Sequence, residues 1–423
     1  MSDRTVSRAW PHGHTVRAAL IAVLTLIAVP FLPSTTSAAP PSEPLTTDPA
    51  DAAAGWLTGE LVDGQYLTSS FDADANGTVD PAIEISPDAG LTADAVLAFA
   101  AADSAGDAAQ NAVAWLEGQV ATYTGDGATE SYAGALAKLA LVAEVMERDA
   151  TDFGGQDLVA RLLSQLDADG RFADVSEFGD FSSPVTQSLA ILALVRADPV
   201  GVPPAAVDFL ISAQCADGGF VTDPSTKPCT TGEVDATAVA VQALLVSDRE
   251  EDAREAGAFL VAQQAGDGSF GTDGTGNSNS TGVAAQALRA LGEDAPADQA
   301  TDWLLSVQLG GTQPAEQLGA IPFDSAGFDP STATRATAQA VLGLAGTGLA
   351  DLAAPSDPAA YGLETQAEAA TPAPDAASPS PDAASAEEET KGGWGLAIWL
   401  AVGAGILVVV LIAAFLVRSR KSA

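Results

Sequence analysis

Few residues of this chain combine a type and a spacing that carry chemistry. The run Asp72-Ala73-Asp74-Ala75-Asn76-Gly77-Thr78-Val79-Asp80 places oxygen donors at alternate positions around a glycine. Asp72, Asp74 and Asn76 would offer side-chain oxygens to calcium, Thr78 its carbonyl and Asp80 a direct or water-mediated contact, with Gly77 making the sharp turn. The twelfth position is Ile83, and Glu84 comes one residue late for the closing bidentate ligand, so an acidic polar turn is the competing reading. Cys215 and Cys229 are the only cysteines; in an exported chain such a pair reads as a disulfide, with a closure effect of about 3 kcal/mol. Asp235, with Glu233 two residues before it, opens an Ala-rich segment. A carboxyl there is either a first-turn acid facing free backbone N–H groups or, where its neighbours hold it protonated, a general acid.

These residues lie between two ends of different character. Arg4, Arg8 and Arg17 precede an apolar run from Ala18 to Leu32 with small residues at 36–39, so residues 1–38 read as a secretory signal peptide. Trp394 to Val417 is uncharged, apolar and long enough to cross a bilayer, and the tail 418–423 holds Arg418, Arg420 and Lys421. The expectation is a single-pass protein of the cell membrane with its ectodomain outside the cytoplasm. Both histidines, His12 and His14, fall in the leader, which excludes Ser-His-Asp and Cys-His catalysis and imidazole zinc sites from the ectodomain. Three basic and one acidic residue belong to the leader and three basic ones to the tail, leaving 11 basic against 55 acidic residues. That balance excludes nucleic acid as a partner and describes a solvated surface. Residues 351–393, rich in Ala, Pro, Ser, Asp and Glu, read as a disordered stalk.

The ectodomain between 50 and 350 is organised by a repeat. Trp56-Leu57, Trp115-Leu116, Leu162-Leu163, Phe209-Leu210, Phe259-Leu260 and Trp303-Leu304 recur at intervals of 59, 47, 47, 50 and 44 residues, each in a helix-like segment. Each is followed by a second Ala-rich segment with apolar residues at three- and four-residue steps, for example VDATAVAVQALL and STGVAAQALRAL. Ala dominance and the absence of alternation predict a helix there too, giving six helix pairs and an all-α fold. Between the halves lie Gly- and Asp-rich turns, clearest in Gln214-Cys215-Ala216-Asp217-Gly218-Gly219-Phe220 and Gln263-Gln264-Ala265-Gly266-Asp267-Gly268-Ser269-Phe270.

These Gln-x-x-Asp-Gly-Gly/Ser-Phe turns resemble the QW-type motif of the squalene cyclase and prenyltransferase repeat, strong in units four and five, partial in unit three and faint elsewhere. The resemblance implies an α/α toroid of six outer and six inner helices; the spacing alone shows repeated pairs. It also brings in several branches of function. Class II terpene cyclases protonate an alkene or epoxide with the middle Asp of a DxDDTA-like motif, and Glu233-Val234-Asp235-Ala236-Thr237-Ala238 matches it with Ala236 in place of the last acid. Cyclases also line their cavities with aromatics, whereas the three ectodomain tryptophans all sit at the outer-helix anchors. Prenyltransferase zinc sites need a His, and thioester proteins a CGEQ-like Cys, neither of which is present. Transcobalamin-type toroids enclose a corrinoid, which makes cobalamin a candidate ligand for an anchored extracellular protein.

Aligning the second halves brings Thr92, Ser131, Val185, Asp235, Asn279 and Thr332 to equivalent positions. In a closed ring these ends converge, with Asp94, Glu233, Thr237, Asn277, Thr281 and Arg335 on the same rim. Polar residues are also expected there as helix caps; as a ligand site, the rim would use Arg335 to orient an anionic group. The resulting expectation is a non-catalytic protein that captures a small molecule, cobalamin or another scarce nutrient, for a membrane transporter, with no required cofactor. A terpene cyclase-like enzyme acting on an isoprenoid and a structural surface repeat are the alternatives.

Overall fold

The computed structural model describes residues 44–70, 84–197, 201–223, 228–272 and 275–364. The leader, the calcium-like loop from Asp72 to Asp80 and the apolar segment 394–417 lie outside them. The helices are, in chain order, α1 (Pro49–Glu60), α2 (Ala89–Ala102), α3 (Gly106–Glu117), α4 (Val120–Thr124), α5 (Ala133–Val145), α6 (Leu158–Ser164), α7 (Pro184–Arg196), α8 (Pro204–Ser212), α9 (Val234–Val246), α10 (Glu250–Gln263), α11 (Ser278–Leu291), α12 (Asp294–Val307) and α13 (Ala333–Ala345). The short strands are β1 (Leu45–Thr46), β2 (Thr68–Ser70), β3 (Ile85–Pro87), β4 (Gly271–Thr272), β5 (Thr275–Gly276) and β6 (Gly362–Leu363). The aromatic or leucine anchors fall on α1, α3, α6, α8, α10 and α12, and the Ala-rich second halves form α2, α5, α7, α9, α11 and α13.

The two sets differ in burial as an inner and an outer layer must. On α3, Ala109, Ala112, Val113 and Leu116 are buried at steps of three and four, one apolar stripe on an otherwise polar helix. On α7 every residue from Pro184 to Leu194 is buried, so this helix is enclosed on all sides. Small side chains make that enclosure tight. A Cβ on Gly282 would stand 2.4 Å from the Gln339 carbonyl oxygen, and one on Gly343 2.7 Å from that of Gly282, so α11 and α13 meet backbone to backbone. The inner helices contact one another in the cycle α2, α5, α7, α9, α11, α13 and back to α2. The ring therefore closes on itself, and the last unit packs on the first.

The turn motif explains how neighbouring units are joined. Gln214 Nε2 donates to Gly218 O at 2.8 Å and to Asp252 O, in the next outer helix, at 3.3 Å. Gln264 repeats this with Gly268 O (2.9 Å) and Pro296 O (2.8 Å). Gln308 repeats it with Gly319 O (3.1 Å) and Pro49 O (2.8 Å), joining unit six to unit one. The glycines have φ of +87°, +92° and +90°, and a Cβ on Gly218, Gly268 or Gly319 would come within 2.7, 2.3 and 2.5 Å of the next outer helix's carbonyl oxygens. Only glycine satisfies both demands. The following Phe220, Phe270 and, at the equivalent place, Ile321 are at most 1% exposed. In unit three the sequence offers Gln165, but its amide has no partner. Gln187, on α7, does the work instead, donating to Gly170 O and Ala206 O, both at 2.9 Å.

The chain after α13 is not yet a stalk. Residues 347–364, whose larger part the composition assigns to the stalk at 351–393, run across the C-terminal ends of the inner helices. Gln286 on α11 donates to Thr347 O, Leu349 N–H to Gln242 Oε1 on α9, and Arg196 on α7 to Ala350 O and Leu352 O. The Ser356 N–H then donates to Asp103 beside α2, and β6 pairs in parallel with β1. Leu349 and Leu352 are 5% and 1% exposed. The Pro- and Ala-rich composition hides this order because the segment is held by backbone groups, which any residue supplies.

Candidate functional site

The inner helices' N-terminal ends, remote from that strap, carry the rim residues. Their environments divide them into groups that hold the fold and groups left free. Thr237 is fully buried; its hydroxyl donates to Glu233 O at 2.6 Å and accepts the Phe220 N–H at 2.8 Å. Thr281 does the same between Asn277 O (2.6 Å) and the Phe270 N–H (2.9 Å). Thr92 does so between Asp88 O (2.7 Å) and the Leu67 N–H (3.0 Å). Thr337 accepts the Ile321 N–H at 2.9 Å, and in unit three the Gln187 Oε1 accepts that of Phe172 at 3.0 Å. Thr92, Thr237 and Thr281, predicted on the rim, thus tie Leu67, Phe220 and Phe270 to the inner helices. Asn277 is the N-cap of α11, its Oδ1 accepting the Ser280 N–H at 2.8 Å. Thr332, the N-cap of α13, makes no side-chain cap bond.

Asp235 is different. It lies in the first turn of α9, and its Oδ1 is shielded from solvent with no hydrogen-bond partner. Burial pushes its carboxyl above the ordinary carboxylate range; the Ser280 hydroxyl pulls it back in part, and the charge of Glu233 pushes it further up. Glu233 itself turns outward to the loop, where its Oε2 accepts from the Thr222 N–H at 3.0 Å and from the Thr222 hydroxyl. Ala236 is fully buried in the core, so the place of the third acid is occupied by helix packing. The loop that leads into Asp235 is fastened by the Cys215–Cys229 disulfide, with Cα atoms 4.8 Å apart, and by the Gly232 N–H donating to Asp217. Next to Asp235, on α11, Asn279 Nδ2 donates to Gln339 Oε1 of α13 at 2.8 Å.

Across the ring from α9, three places round the cycle of inner helices, α2 bears a charged cluster. Lys138 Nζ of α5 donates to Asp94 Oδ1 at 2.6 Å, with side chains 6% and 12% exposed. Arg335 of α13 reaches Asp88 Oδ2 at 3.3 Å and Asp94 Oδ2 at 3.8 Å. Two carboxylates thus face Arg335, that of Asp94 and that of Asp88, which is also the N-cap of α2. Tyr123 of α4 lies against the same cluster, its hydroxyl pushed above its usual range chiefly by burial and then by Asp94 and Asp88, with Arg335 opposing. Sequence reasoning missed Lys138, Asp88, Ser280 and Gln339. A lysine inside the apolar run SYAGALAKLAL was the available signal for the first. A groove of about 420 Å³ beside α12, lined among others by Trp303, Gln308 and Asp324, takes in none of these rim residues.

Comparison with known structures places this architecture. The type II terpene cyclase MstE from Scytonema, as an arginine-to-alanine variant holding geranylgeranyl dihydroxybenzoate, aligns with 71% of this chain and 96% of its own length at 15% identity and a TM-score of 0.52. Ligand-free MstE aligns with 70% of this chain and 96% of its own at 16% identity and a TM-score of 0.51. The fold is the α/α toroid of the type II terpene cyclases. At these identities the likeness concerns the fold. No protein-family model matches the chain, and no curated protein matches it.

Proposed function

We propose that the rim of this toroid is the active site of a terpene cyclase-like enzyme, with Asp235 as its proton donor. The observation that supports this reading is the Asp235 carboxyl, raised by burial, with one oxygen shielded and unpartnered, at the position of the middle acid of the cyclase motif. Such a carboxyl, when protonated, can deliver its proton to an alkene carbon, leaving a tertiary cation that the next double bond captures. Loss of a proton from the final cation ends the sequence, and Asp235 regains one from solvent, so the product is an isomer of the substrate. Such a substrate is an isoprenoid, as is the ligand named for one MstE structure. The test is incubation of the purified protein with linear isoprenoids, followed by mass spectrometry for cyclised isomers. Asp235→Asn should abolish any such product; cyclisation that survives this change would refute the assignment.

A second reading, capture of a ligand without chemistry, is favoured by the buried Ala236 and the outward-turned Glu233, which leave Asp235 without the two companion acids of the motif. In that reading the apolar segment 394–417 anchors the toroid to the cell membrane, and a nutrient such as cobalamin passes from the rim to a transporter. Small molecules that copurify with wild type but not with Asp235→Ala, in the absence of turnover, would favour it.

A further inference from the structure

We propose that the cluster of Asp88, Asp94, Lys138 and Arg335 is the seat of a neutral hydroxyl on the ligand, an alcohol or a phenol, and that it rejects a diphosphate; this rests on the reading of the rim as a ligand site. The members come from three inner helices: Asp88 caps the N-terminus of α2 and Asp94 lies further along it, Lys138 is midway along α5, and Arg335 is in the first turn of α13. The two carboxylates and two cations cancel in charge, and Asp88, Asp94 and Lys138 are almost wholly shielded. Burying such a group gives little stability in itself, because desolvation opposes the attraction. The hydrogen-bond inventory is also incomplete. Asp94 Oδ2 is shielded from solvent and accepts nothing. Arg335 Nη1 stands 3.8 Å from it, beyond hydrogen-bond length, and among the described residues the guanidinium, which has five N–H donors, makes one bond, that to Asp88. The Arg335 side chain is also the most exposed of the cluster, at 27%, so this is the side a ligand meets.

An unused acceptor beside an unused donor is complementary to a group that both donates and accepts. A hydroxyl does this, donating to Asp94 Oδ2 and accepting from Arg335. A carboxylate has no proton to donate, and a diphosphate, even when singly protonated, would bring several negative charges against Asp88 and Asp94. The cluster lies across the ring from Asp235, so a hydroxyl held there would direct the rest of the ligand toward the Asp235 carboxyl and its free Oδ1.

Phenol and inorganic diphosphate serve as probes on the purified full-length chain, with binding read from the arginine side-chain N–H resonances in NMR. Phenol should shift the Arg335 signal saturably, and diphosphate should neither shift nor displace it at ten-fold higher concentration. Asp94→Asn removes the acceptor and leaves a net positive charge, so phenol should weaken at least ten-fold while diphosphate strengthens at least ten-fold, a reversal that a purely structural role would not produce. Where that variant fails to fold, Arg335→Gln keeps the Asp94–Lys138 pair and should also weaken phenol ten-fold. Diphosphate binding equal to phenol in wild type, or phenol binding that leaves the Arg335 signal unmoved, overturns the proposal. Farnesol as competitor separates the two readings: phenol binding that farnesol cannot displace leaves the hydroxyl seat standing and removes the isoprenoid.

Discussion

Replacing Thr237 by valine tests whether the rim threonines belong to a ligand site or to the fold. Valine keeps the shape and removes the hydroxyl. The Glu233 carbonyl loses one donor but keeps the Thr237 backbone N–H at 3.1 Å, so that end costs little. The Phe220 N–H is worse placed: it is buried and its 2.8 Å partner is gone. An unsatisfied buried donor costs about 1–3 kcal/mol, so Thr237→Val should lose about 2 kcal/mol. Thr237→Ser keeps both bonds and removes one buried methyl, about 0.8 kcal/mol. Chemical denaturation followed by circular dichroism should therefore rank wild type above serine above valine, with unchanged m-value. The same order should hold at Thr281, whose partners are the Phe270 N–H and Asn277 O. A valine variant as stable as wild type, or a serine variant no better than valine, would refute the turn-anchor argument.

Three further outcomes follow from the same geometry. Asp235 has a raised folded-state pKa, so the stability it contributes is present at low pH and is lost as pH rises from the unfolded carboxyl range through the folded value. Asp235→Asn should remove that dependence, its stability gaining on wild type by up to about 1.4 kcal/mol per pH unit in that window, and a difference flat with pH would contradict it. Gly319→Ala forces a Cβ at φ +90° to within 2.5 Å of Ala52 O and should cost at least about 1–3 kcal/mol, seen as a lowered melting temperature, because it loosens the joint between the last and first units. Thiol labelling of the denatured protein should find no free cysteine before reduction, and replacing Cys215 and Cys229 by serine should lower stability by about 3 kcal/mol.

The six helix pairs were legible because a single physical need, close packing of helices, writes Ala and one large anchor into each unit. Ring closure was not, and Gln308 shows why. In units four and five the glutamine and its glycine are four residues apart, at 214 and 218 and at 264 and 268; in unit six Gln308 works with Gly319 across an insertion, so the motif looks faint where it closes the ring. Gln165 illustrates the converse, a motif residue in the right place with no partner, its role taken by Gln187 from the other helix of the unit. Within the site, the sequence marked which positions are polar, because helix ends require it. Sorting caps and anchors from free groups needs the partners. Asn277 and Asn279 are two residues apart and alike in type, yet one caps its own helix and the other bonds Gln339 on a neighbour.

That separation has a consequence for function. In units four to six the glutamine, glycine and threonine of the turn join the units through backbone carbonyls and N–H groups, so the rim itself is relieved of holding these units together. A shielded carboxyl oxygen without a partner, as Oδ1 of Asp235, is destabilising wherever it stands. It persists where the surrounding joints are strong enough to fix the helix that bears it, and here α9 is fixed by Thr237, by the disulfide loop and by packing between α7 and α11. Asp94 Oδ2 is in the same position on the opposite wall. In the proposed reading, residues 347–364 cross the other end of the inner helices, so a ligand would approach from the rim, with its hydroxyl end against Arg335 and its reactive end against Asp235.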